Sequence, residues 1–211
     1  MLTAFDEWSG VANGSQPFWE SRAQIIAKLI RATDSVLDIG AGNRKLSRFI
    51  PKTCEYTPVD CVADLPGTFV VDFNQDFQLP GVNFDVVVCA GFLEYLDDVP
   101  AFFRQMALHA PGRQIIFTYL FHDRKMRRTE MCVHNDFPTS QAMLGAICTY
   151  LSHVDVFAFD RETAYYNATL SSGETIPTVN PVLITELLAI PESAPMRFIR
   201  RMNRSIKKRL P

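Results

Sequence analysis

Apolar positions along the chain switch between a period of two, suited to strands, and a longer period suited to helices. From 16 to 31 (QPFWESRAQIIAKLIR), Phe18, Ala23, Ile26 and the Leu29–Ile30 pair recur at helical spacing. Asp34 and Ser35 interrupt that pattern, and residues 36–39 (VLDI) read as a buried strand. A Gly-Ala-Gly turn follows, then a short helix through Leu46 and Phe49 that stops before Pro51. Residues 55–60 and 68–71 read as the next strands, and 84–90 (FDVVVCA) as a central strand apolar on both faces. A helix over 98–109 tolerates Pro100 in its first turn, and Pro111-Gly112 turns the chain into a fifth strand at 114–119. Beyond lie a polar, basic loop (121–138), a helix (140–151) and a strand (153–159). A Tyr-, Ser- and Thr-rich connector over 161–180 then precedes a last strand at 182–190. Strands alternating with helices predict an α/β fold with a mainly parallel sheet. No internal repeat or linker divides it, so residues 1–195 are expected to form one domain, followed by a tail over 196–211.

Composition changes this picture in two places. Hydrophobic residues make up 47% and charged residues 21% of the 211, ordinary fractions for a globular chain, which excludes long disorder. No run reaches ~18 apolar residues, so no transmembrane helix is expected, and the start of the chain lacks the basic and apolar regions of a secretory signal. The five cysteines (54, 61, 89, 132, 148) form neither a CxxC pair nor a zinc-spaced cluster. No metal is therefore expected, and a reducing, cytoplasmic setting is. The formal net charge of −2 conceals an asymmetry. Residues 196–211 hold seven basic side chains and no acid, which leaves 14 basic against 23 acidic side chains, a formal −9, on residues 1–195.

The glycine turn carries the most chemical information. A strand ending in Gly40-Ala41-Gly42 and opening a helix admits a ligand close to its backbone and is expected to aim free N–H groups at it. Asp60 ends the next strand 20 residues after Gly40, where a carboxylate can accept ribose hydroxyls. That spacing also fits nicotinamide-binding folds, but their third glycine position is filled by Lys45. Asp38 at the mouth of the first strand repels a pyrophosphate and suits an ammonium or sulfonium group. After the third strand, Asp72 can accept from an adenine amino group, and Phe73 can pack on the ring.

With these elements in order, the chain resembles the class I S-adenosylmethionine-dependent methyltransferases. The resemblance runs from Val36 to about Tyr119, through VLDIGAG, the acid of YTPVD, VVDFN, FDVVVCAGFLEYLDD and HAPGRQIIFTY. It implies a Rossmann-like seven-stranded, mostly parallel sheet with helices on both faces, and S-adenosylmethionine as cofactor. By position it assigns the methionine part to Asp38, Gly40, Ala41 and Gly42, the ribose to Asp60, the adenine to Asp72 with Phe73, and the methyl end to Ala90 and its neighbours. One departure stands out: Arg44 replaces a frequent third glycine, and Asn43 is expected to supply the left-handed backbone.

Methyl transfer needs alignment of nucleophile, methyl and leaving sulfur, with a base near a hydroxyl acceptor. Tyr95, after the fourth strand, and His122, beyond the fifth, are the candidates for catalytic roles, with Glu94, Tyr119, Asp123 and His134 nearby in sequence. Arg124, Lys125, Arg127 and Arg128 can grip an anionic group on a small-molecule or glycan-like acceptor, or form a solvated loop. Trp8, Phe18, Trp19 and Arg22 suit a lid or core anchors, and Tyr165 and Tyr166 suit the acceptor site or a sheet edge. In the tail, Phe198, Met202, Ile206 and Leu210 recur every four residues among bases. Such a helix can dock on the domain or contact a membrane or protein partner. No nucleic-acid-reading motif accompanies it. A different class of function, a non-catalytic cofactor-binding partner acting through the tail, fits the same residues, and the oligomeric state is left open.

Overall fold

The structure, a computed structural model, describes residues 17–62, 65–120, 137, 140–160 and 163–172. Helix α1 (Pro17–Ala27) precedes strands β1 (Ser35–Ile39), β2 (Glu55–Asp60), β3 (Phe69–Val70) and β4 (Val86–Cys89). Helix α2 (Val99–His109), β5 (Gln114–Leu120), α3 (Ser140–Ile147), β6 (Leu151–Asp160) and β7 (Thr163–Leu170) complete the order. The strands join in one sheet, β3-β2-β1-β4-β5-β7-β6, parallel from β3 through β5 and antiparallel at β7 and β6. Chain order reverses between β1 and β4, which opens a crevice at their carboxyl ends where ligands of such sheets sit.

Strand alternation sorts the core into two faces. Val36, Val86, Val88 and Ile116 pack with Ala23 and Ile26 of α1. Leu37, Val87, Cys89, Ile115 and Phe117 face the other way and pack with Phe102, Phe103 and Met106 of α2 and with Met143 and Ile147 of α3. Asp38 lies between Leu37 and Ile39, so the same alternation turns its carboxylate toward α1. Helix α2 starts where the Asp98 side chain accepts from the Ala101 N–H at 2.8 Å, a cap that leaves Pro100 harmless in the first turn. At the sheet's opposite end, Asp85 accepts from Ser35 N–H and Oγ, and these bonds hold its pKa below the usual carboxylate value.

Several elements differ from the sequence expectation. The stretch expected to be a connector holds β7, which lies between β5 and β6 and buries Tyr165 and Tyr166 completely or nearly so. Its polar members are absorbed by the ladder: Asn167 Oδ1 accepts from Gln114 Nε2 on β5 at 2.8 Å. Tyr165 and Tyr166 are thus core residues. The helix after Ser140 ends at Ile147, a 3-10 turn covers Cys148–Tyr150, and β6 already begins at Leu151. The short helix after the glycine turn is a single 3-10 turn, Leu46–Arg48. The strand expected at 182–190, the basic loop around Arg124–Arg128 and the 196–211 tail lie outside the described residues.

Phe117 links the layers. Its ring stacks on Tyr166 of β7, centroids 4.7 Å apart, and meets Phe103 of α2 edge-on at 5.1 Å. Phe117→Ala is expected to cost ~3–5 kcal/mol, seen as a lower urea midpoint at unchanged slope.

Candidate active site

The glycine turn folds back on the end of β2. The N–H groups of Gly40 and Ala41 both donate to the Val59 carbonyl, at 2.9 and 3.1 Å. Gly42 N–H donates to Asp60 Oδ2 at 2.8 Å, and Val62 N–H donates to Oδ1 at 3.3 Å. The free N–H groups expected from the sequence are therefore absent at these three positions. A backbone that turns this sharply after a parallel strand finds its nearest acceptors on the neighbouring strand. What the turn leaves open is space: a side-chain carbon at Gly42 would meet nothing within 4 Å, whereas at Gly40 it would meet Phe92. Asp60 holds the turn and keeps further lone pairs for hydroxyl donors.

Arg44 departs from expectation as well. It, and not Asn43, takes the left-handed backbone, with φ 56°. Its Nη2 donates to the carbonyls of Leu65 and Pro66 and to Thr68 Oγ1, at 2.7–3.0 Å. The guanidinium thus turns away from the crevice and straps the β2–β3 connection to the glycine turn.

Asp38 is buried beneath this turn, where its carboxylate accepts from the Tyr56 hydroxyl at 2.5 Å. Burial pushes its pKa up to about 7; the Tyr56 bond and the Arg22 charge oppose that rise, and Asp60 adds to it. Burial and the adjacent Asp38 carboxylate push the Tyr56 phenol strongly upward, so it stays a donor. Tyr56 carries no motif signal, because only the pairing of β1 with β2 brings it to Asp38.

On the far side of the crevice the chain leaves β4 through Ala90, half-buried, and Gly91, whose positive φ of 67° suits glycine. Gly91 N–H donates to Thr118 Oγ1 of β5 at 2.8 Å, and the Arg22 guanidinium of α1 fills the place of a Gly91 side chain. Glu94, buried on the next turn, accepts from Leu120 N–H at 3.0 Å through Oε1, while Oε2 has no partner; burial raises its pKa. Tyr95 follows, half-buried, its carbonyl accepting from Asn74 Nδ2 at 2.9 Å. Asn74 so ties the end of β3 to the turn after β4.

Asp72 sits at the expected place but accepts from Asn74 N–H and Gln75 Nε2. Phe73 belongs to an aromatic cluster of the protein itself. It meets Phe77, Phe92 and Phe102 edge-on at 5.4–5.7 Å, an aromatic cluster that anchors the site to α2. Tyr119 is fully buried within β5. Phe18 is 45% exposed and meets Trp19 edge-on, so it anchors no core. Trp8, His122, Asp123 and His134 lie outside the described residues.

A family model described as a methyltransferase domain matches residues 16–155, most of the chain. The chain belongs to this family. Among solved structures, a SAM-dependent methyltransferase from Aquifex aeolicus aligns over 81% of this chain and 100% of its own, at 12% identity and TM-score 0.56. The N-methyltransferase NodS from Bradyrhizobium japonicum, in complex with S-adenosyl-L-homocysteine, aligns over 79% and 98% at 15% identity and TM-score 0.53. The glycopeptide N-methyltransferase MtfA, complexed with sinefungin, aligns over 72% and 93% at 14% identity and TM-score 0.51. At these identities the likeness is one of fold. No curated protein matches by sequence.

The protein is thus a methyltransferase on the class I fold, with S-adenosylmethionine as its cofactor. Its residues fit that group. A ligand chain would have room at Gly42, Asp38 would offer a carboxylate to its ammonium, and Asp60 would offer acceptors to its ribose. Because a cationic ligand favours the ionised Asp38, binding to this methyltransferase should strengthen as pH rises through 7 and weaken as it falls. Titrating S-adenosylhomocysteine by calorimetry at pH 6 and 8 should show a several-fold gain at the higher pH, bounded by ~10-fold per unit for one proton. Asp38→Asn should flatten that slope.

Proposed function

We propose that the protein transfers the methyl group of S-adenosylmethionine to an anionic small-molecule or glycan-like acceptor. The observation that carries the donor half is the reversal of chain order between β1 and β4, at whose carboxyl ends lie the Gly40–Gly42 turn, tied to Asp60, and Gly91. When bound, the cofactor supplies an electrophilic methyl on a sulfonium; the chain's part is to bind, orient and exclude water. Asp60 holds the turn at Gly42 and offers its remaining lone pairs to hydroxyls. Phe92 covers Gly40 and stands between the turn and the aromatic cluster, which keeps that wall dry.

The acceptor half rests on the basic run Arg124, Lys125, Arg127 and Arg128, which follows β5 within a few residues of its end at Leu120. Ligand-facing loops of such sheets leave the carboxyl ends of strands, and guanidinium pairs grip carboxylate, phosphate or sulfate. NodS and MtfA are both N-methyltransferases, MtfA of a glycopeptide, which supports a glycan-like acceptor. Tyr95 and His122 are assigned to the acceptor's surroundings, Tyr95 as a wall and hydrogen-bond donor and His122 as a base. The free cysteines 54, 61, 89 and 148 suit a cytoplasmic enzyme. The basic tail offers a contact to a membrane or protein partner.

Asp60→Ala is expected to weaken S-adenosylhomocysteine binding by ~1–3 kcal/mol in calorimetry, through lost charge-assisted hydrogen bonds. Incubation with isotope-labelled donor and matched anionic and neutral acceptors tests the acceptor. Anionic members should be methylated, and Arg124→Glu with Arg127→Glu should raise their KM ~10-fold or more at unchanged donor affinity. Preferential methylation of neutral members contradicts the anionic reading.

A further inference from the structure

Strands β3 and β4 are not neighbours in the sheet; β2 and β1 lie between them. Beyond their carboxyl ends the two strands are nevertheless joined, through the side-chain amide of Asn74. Its Nδ2 donates to the Tyr95 carbonyl at 2.9 Å, and its Oδ1 accepts from Asp97 N–H at 2.9 Å. In a parallel ladder, the N–H and C=O of one residue make such a pair of bonds to the residues on either side of the one it faces. The Asn74 amide therefore stands in for a strand opposite Leu96, which is buried and extended (φ −86°, ψ 137°). An amide suits this task because it holds a donor and an acceptor side by side, which an ionised carboxylate does not.

The amide is itself held in place. Asn74 N–H donates to Asp72 Oδ1 at 3.0 Å, and the Asp72 carbonyl accepts from the N–H groups of Gln75 and Asp76 at 3.0 and 2.9 Å. On its other side the turn after β4 is tied to β5, by Gly91 N–H to Thr118 Oγ1 and by Leu120 N–H to Glu94 Oε1. Tyr95 lies between these attachments, flanked by the buried Glu94 and Leu96. The β5 ties fix the turn ahead of Tyr95, and the Asn74 bonds fix it at the Tyr95 carbonyl and two residues on. Asn74 is exposed, so its bonds contribute modestly to stability. What a bidentate tie supplies there is position, and ~1 Å of misplacement beside a reacting centre can cost ~100-fold in rate.

We propose that Asn74 is a positioning residue that sets where Tyr95 stands, and so how far the acceptor wall lies from the transferable methyl. The inference rests on the reading of Tyr95 as a wall of the acceptor site. It extends that reading, since it makes the wall depend on the turn that follows β3. The groups offered to the donor, Asp38, Gly42 and Asp60, make no printed bond to Asn74 and belong to β1 and β2. Loss of the clamp should therefore move Tyr95 without loosening the donor.

The test places 3-fluorotyrosine at position 95 of the full chain and follows its fluorine NMR line alone, with S-adenosylmethionine and with S-adenosylhomocysteine. With Asn74 in place, one narrow line is expected, at different shifts with the two ligands because they differ by the methyl and its charge. Asn74→Ala should displace and broaden the ligand-free line and remove most of the difference between the ligands. Asn74→Asp should do the same, because it keeps an acceptor for Asp97 but sets a carboxylate against the Tyr95 carbonyl. Gln75→Ala, which removes a bond to Asp72 from the same turn, should leave the line in place. In all three variants calorimetry should give an S-adenosylhomocysteine affinity within ~3-fold of the parent, the low end of one lost hydrogen bond. An unmoved line in Asn74→Ala overturns the proposal, and so does equal displacement by Gln75→Ala, the mark of a general loosening of the turn. A larger loss of affinity in Asn74→Ala overturns it too, since the clamp would then serve the donor. If the line with Asn74 in place is the same with both ligands, the acceptor-wall reading fails and takes the proposal with it, a result visible before any variant is made.

Discussion

The site hangs on the carboxyl end of β2. One carbonyl, that of Val59, takes two successive N–H groups of the glycine turn, and the next side chain, Asp60, takes the third. The turn is thereby closed against its neighbouring strand before any ligand arrives, with the Gly42 side left open. Three hydrogen bonds to one strand end set the height of the Gly40–Gly42 backbone over the sheet. The placement of Asp38 below it, and of Lys45 beyond it, follows from that height. Preorganisation of this kind moves the ordering cost into folding, so that less of it falls on binding.

Around that anchor the charges are distributed unusually. An acid sits in the driest place, hydrogen-bonded to a phenol that is itself hard to ionise. A lysine, Lys45, sits almost as dry, over the ring of Trp19 and with no hydrogen-bond partner among the described residues. Both arrangements are costly in the free protein, and both become favourable when a partner of opposite charge is present. The aromatic cluster of Phe73, Phe77, Phe92 and Phe102 supports the same region from the α2 side, so the charged groups rest on a wall with little freedom to yield.

Much of this is visible in the residues alone. Continuous apolar runs mark β1, β4 and β5, because parallel strands covered on both faces leave no room for polar alternation. The glycines and the acids after β1, β2 and β3 mark the ligand end of the sheet. Three things stay hidden. Strand β7 reads as a connector because its Asn167 and Thr169 look solvent-loving until the sheet supplies them with partners. The hydrogen bonding of the turn depends on strand pairing, as does the meeting of Tyr56 with Asp38. Phe73 reads as a ring-stacking residue because nothing in local sequence shows two distant phenylalanines, Phe92 and Phe102, joining Phe77 around it.

Arg44 illustrates how a departure from a family pattern can be a trade between two kinds of order. A glycine there would adopt the left-handed backbone without strain, yet it would release Leu65, Pro66 and Thr68 from the turn. This chain accepts local backbone strain and receives in return a tie between the glycine turn and the β2–β3 connection. Position 44 is consequently a poor place to regularise this protein toward its relatives. A search keyed to the third glycine would pass over any sequence that had made the same exchange.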